Sequence, residues 1–206
     1  MKGLLKKDWY MAWAYSKNFL FIALFFLAFS FFYSENMFFL VYPMVIVAML
    51  PINLLSYDEK FKWSLYCDAM PLTRSQVVTE KYLFALLLSA ATMLLLGGVR
   101  GGLLLIQGNS GAFLELLTLL FLFGLVSPAL LLPFIFRWGP EKGRLVYYFM
   151  IGVFCAVCLV LVNRPLVGTG GFGSRPLHVL LTLLCCLLVY ALSWQLSIRL
   201  YKTREL

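Results

Sequence analysis

The chain reads as an all-α integral membrane protein with six transmembrane helices and both termini in the cytoplasm. Composition, the length of the apolar stretches and the placement of basic residues predict this. Of 206 residues, 63% are hydrophobic and 13% charged, whereas a soluble domain is about 45–50% apolar. A span needs about 20 mainly apolar residues to cross about 30 Å of hydrocarbon. Six stretches fit: 18–34, 37–56, 82–106, 112–136, 145–162 and 177–198. They take up most of the sequence, so 1–206 is a single transmembrane domain with no room for a soluble one. Lys and Arg near span ends are retained on the cytoplasmic side. With the N-terminus inside, 14 of the 17 basic residues fall inside, and only Arg100, Arg164 and Arg175 fall outside. Membrane-edge anchoring, about 1 kcal/mol per basic residue near anionic lipid, accounts for the net charge of +8 without nucleic acid.

Residues 1–17 precede the first span. Asp8 and Lys17 interrupt them and no small-residue cleavage pattern follows, so no cleaved signal peptide is expected. Leu5, Trp9, Ala12, Trp13 and Ser16 share one helical face, which predicts an amphipathic helix in the inner interface with both tryptophans at headgroup depth. Pro43 and Pro51 in the second span, and Pro128 and Pro133 in the fourth, predict kinks or breaks. The third span ends in GGVRGG, 97–102, where small residues permit close helix approach. Arg100 within it, and Glu115 at the outer start of the fourth span, have opposite charges at facing ends. They are a candidate extracellular gate, or else two interface residues in water. The glycine-rich 163–176 lacks a phosphate-loop ending and reads as an external turn. Cys155, Cys158, Cys185 and Cys186 lie inside spans, where thiols serve as small apolar groups. With a single His178 and no ligand cluster, no metal site is expected.

The one long polar interval, 57–82, reads YDEKFKWSLYCDAMPLTRSQVVTEKY. Phe61, Trp63, Leu65 and Tyr66 set aromatic and apolar bulk beside Asp58, Glu59, Lys60, Lys62 and Asp68, a mixture suited to a protein partner's surface. Pro71 should stop a short helix, and Thr73 or Ser75 should cap the next one. A second cytoplasmic segment, LPFIFRWGPEKGR at 132–144, ends the fourth span and carries Arg137, Gly139, Glu141, Lys142 and Arg144.

These two segments closely resemble the cytoplasmic loops of ATP-binding-cassette type-two permeases, and more narrowly the small six-span members associated with export of amphipathic or antimicrobial peptides. In 57–82 the resemblance rests on the acid–lysine pair, Trp63, Tyr66, Ala69, Met70, Pro71, Arg74 and Lys81–Tyr82. In 132–144 it rests on the span-ending proline, the basic residue, Gly139 and the turn 141–144. The resemblance implies a transporter's membrane subunit and no catalysis by this chain, which lacks GxxxxGK[ST]. ATP and Mg would sit on a separate ATPase subunit, and a second permease subunit, as a homodimer, would complete the pathway. Residues 57–81 would then be the coupling loop, with Asp58, Glu59, Phe61, Trp63, Tyr66, Pro71 and Arg74 meeting the ATPase, and 137–144 the second cytoplasmic loop. A hydrophobic or amphipathic peptide would be exported across a bacterial plasma membrane. The alternatives are a membrane-embedded enzyme acting on lipids or peptides, and a non-transporting immunity or scaffold protein.

Overall fold

The structure, a computed structural model, describes residues 2–32, 37–63, 66–67, 73–139, 141–149, 152–153 and 176–202. Long helices fill them: α1 (Lys2–Phe32), α2 (Met37–Lys60), α3 (Arg74–Ile106), α4 (Ser110–Trp138) and α6 (Pro176–Lys202), with α5 over 141–149. Among the described residues no strand occurs, so the all-α expectation holds. Among the described residues three helices, α3, α4 and α6, are long and apolar enough to cross a membrane.

α1 runs unbroken, so the amphipathic piece expected over 1–17 is the first half of a longer helix. Its buried side carries Leu4, Asp8 and Ala12, while Trp9 and Trp13 are exposed. Thr73 stands just before α3 as its N-cap residue, one of the two cap positions expected after Pro71: the Thr73 amide donates to Gln76 Oε1 at 3.1 Å, the back-reaching half of a capping box. α3 and α4 join in a three-residue turn in which Gly108 takes φ +73° and Asn109 Oδ1 accepts from the Ala112 amide. The four internal prolines leave α2 and α4 helical throughout. α4 stops at Gly139, whose φ of +83° only glycine adopts freely.

The core forms where α2, α3, α4 and α6 meet, around Ile52, Val78, Tyr82, Leu132 and Ile135. Tyr82 binds α3 to α6: its hydroxyl lies 2.7 Å from Ser193 Oγ and 2.6 Å from Ser197 Oγ. Tyr190 returns a hydrogen bond to the Tyr82 carbonyl at 2.7 Å. At the 107–109 end, Gly101 of α3 meets Phe113 of α4 so closely that a Cβ would lie 2.6 Å from the ring.

Candidate functional site

The polar interval closes onto the first half of α1. Beyond Lys60 the chain turns, the amides of Phe61 and Lys62 donating to the carbonyls of Tyr57 and Glu59. Lys62 takes φ +52°, a left-handed conformation uncommon for lysine. Trp63 thereby comes beneath the Lys7 ammonium, 4.3 Å from its ring centre. Further along α1, Tyr15 packs against the rings of Tyr57 and Phe61, at 4.7 and 6.2 Å.

A buried ion cluster lies beside these contacts. Lys81 Nζ of α3 donates to Asp8 Oδ2 and sits 2.8 Å from Asp58 Oδ2 and 3.7 Å from Glu80 Oε2. Lys7 Nζ donates to Asp58 Oδ1 at 2.7 Å and lies 3.2 Å from Asp8 Oδ1. Asp8, Glu80 and Lys81 are almost wholly buried, and Asp58 is only 12% exposed. Three acids and two lysines therefore join α1, α2 and α3 at one point. Burial alone would push the Asp8 carboxyl up, but the Lys81 ammonium, helped by Glu80 and Lys7, outweighs it and holds Asp8 below the ordinary carboxylate range.

The candidate residues divide by direction. Asp58 and Trp63 face inward, onto Lys7 and Lys81 for the acid and Lys7 for the ring. Glu59, Phe61 and Tyr66 face outward, the two rings 53% and 61% exposed. Arg74 is half-buried in the first turn of α3, and Pro71 lies outside the described residues. In the second loop Arg137, Glu141, Lys142 and Arg144 are exposed around buried Gly139. Arg144 Nη2 donates to Ser56 Oγ at 3.1 Å, which ties this loop to α2 just before the polar interval. Both segments therefore stand at one end of the bundle.

The Arg100 side chain lies outside the described residues, so its pairing with Glu115 has no geometry. Glu115 is half-buried, and the nearby Gly101–Phe113 contact brings α3 and α4 together at this level. Among the described residues no group of three His, Cys, Asp or Glu side chains is placed to hold a metal, and Cys185 and Cys186 form no disulfide.

Sequence reasoning missed Lys7, Asp8 and Glu80, and it took Lys81 as a membrane-edge anchor. One signal was visible: Asp8 is the only acid before Glu35, in an otherwise basic and apolar helix. An acid there needs a cationic partner if it is buried.

The family model described as ABC-2 family transporter protein matches residues 3–202. No curated protein and no solved structure matches the chain.

Proposed function

We propose, from the premise that this chain belongs to the ABC-2 family of transporter membrane proteins, that it pairs with a second permease subunit and two ATPase subunits to export a hydrophobic or amphipathic peptide. The family makes it a transport membrane subunit that partners ATPase subunits, and in this reading hydrolysis falls to those partners. The finer reading adds six spans with both termini inside, a homodimeric pathway, an outward direction, a bacterial plasma membrane and an outer gate at Arg100 and Glu115.

The observation that carries the mechanism is the ion cluster beneath the polar interval. When an ATPase subunit closes on nucleotide and moves the surface formed by Glu59, Phe61 and Tyr66, the segment does not flex alone. Asp58 and Trp63 are held to α1 through Lys7, and Asp58 is held to α3 through Lys81. Displacement at the surface is therefore delivered to two long helices at once, the kind of rigid link that a two-state switch needs. Arg144, bonded to Ser56, adds the start of α5 to the same moving unit.

Co-purification with a soluble nucleotide-binding partner tests this reading. Recovery of a complex whose ATPase activity rises with an amphipathic peptide supports it. A chain that neither binds such a partner nor alters its hydrolysis overturns it.

A further inference from the structure

The joint between α1, α2 and α3 has one acid more than it has bases. Asp8 and Lys7 come from α1, Asp58 from α2, and Glu80 and Lys81 from α3. All ionised, these five groups would leave a net negative charge in a site almost closed to water, which is costly. Hydrogen bonding shows where the excess falls. Glu80 Oε1 and Asp8 Oδ1 are buried, and neither accepts a hydrogen bond. Both carboxyls converge on the Lys81 ammonium, Asp8 Oδ2 in direct contact and Glu80 Oε2 at 3.7 Å. Two carboxylates drawn to one buried cation repel each other, and a proton on one of them removes that repulsion.

We propose that Asp8 and Glu80 bind one proton between them, carried mainly by Glu80, and that this proton closes the joint as a neutral set of two lysines, two carboxylates and one carboxylic acid. Glu80 is the carrier because both ammonium groups contact Asp8, whereas Glu80 meets only Lys81, at 3.7 Å. Free carboxyls titrate near pH 4, so at neutral pH the folded chain holds a proton that the unfolded chain has released. Stability contributed by this group is full below that range and falls as pH rises. On losing the proton, Glu80 and Asp8 push apart, and α1 loosens from α3. The inference is independent of which ATPase or substrate the chain serves.

Infrared difference spectroscopy of the purified protein at neutral pH is the test, wild type against Glu80→Gln, a change that keeps shape. The expected spectrum carries a protonated carboxylic acid carbonyl band in the wild type that shifts in D2O, is missing from Glu80→Gln and disappears on titration to alkaline pH. Asp8→Asn should also lose the band, since Glu80 then faces Lys81 without a competing carboxylate and ionises. Over the same range the wild-type melting temperature should fall, and that of Glu80→Gln should fall less. Carboxylate bands alone in the neutral-pH difference spectrum, persistence of the acid band in Asp8→Asn, or parallel melting curves would each overturn the shared proton.

Discussion

Lys7 and Trp63, 56 positions apart, meet as cation over ring at 4.3 Å. The same ammonium also grips Asp58 at 2.7 Å. One α1 side chain thus holds two residues of the polar interval, with the tryptophan as an internal brace. Cation–π contacts add about 0.5–1 kcal/mol at exposed sites and about 2 when desolvated. Lys7→Met should release the segment while leaving the apolar helices intact. Limited proteolysis between 57 and 74 is the readout: faster cleavage in the variant is expected, and unchanged cleavage would show that Lys7 holds nothing.

Lys81 is the hub of the ion cluster, so removing it should be among the most destabilising single changes outside the apolar core. Breaking a buried ion pair by deleting one partner costs about 3–5 kcal/mol because the other charge is left unpaired. Lys81→Met should lower the melting temperature sharply, and Lys81→Met with Asp8→Leu should recover part of the loss. Equal melting for both variants would contradict direct pairing.

Close approach of α3 and α4 depends on Gly101. A side chain there runs into the Phe113 ring, and overpacking costs about 1–3 kcal/mol. Gly101→Val should destabilise by about that much, and Phe113→Ala in the same background should relieve it. Thermal unfolding of the single and double variants checks this.

Charge placement predicts which end of the bundle faces out. Cysteine placed at exposed Gln107, in the α3–α4 turn, or in 168–173 should react with an impermeant reagent outside intact cells. Cysteine at Glu59 should not. The reverse pattern would invert the topology and remove the ATPase from reach of the polar interval.

Much of this was readable because apolar length and turn chemistry are local. The α3–α4 turn lies in the gap between the expected spans 82–106 and 112–136, and Gly108 and Asn109 supply the backbone freedom and the cap. The continuity of α1 was less legible: neither Gly nor Pro stands between residues 4 and 32 to mark a break, and an interfacial helix and a span share one periodicity. Burial of Lys81 was not legible at all. A lysine at a span end ordinarily snorkels to water, and the partners that keep this one inside, Asp8 and Asp58, are 73 and 23 positions away. The same long-range contacts turned Asp58 and Trp63 inward, leaving Phe61 and Tyr66 as the exposed rings of the interval.

That division gives the most direct measurement of the central claim, that 57–81 couples this chain to an ATPase. Truncating a central aromatic in a docked interface commonly costs about 2 kcal/mol or more, roughly thirty-fold in affinity. Tyr66→Ala with Phe61→Ala should insert and melt like the wild type, since both rings are exposed, yet recover little ATPase and lose substrate-stimulated hydrolysis. Trp63→Ala should lose the same stimulation together with some stability. Full ATPase recovery and unchanged stimulation in the Phe61 and Tyr66 double variant would contradict the account.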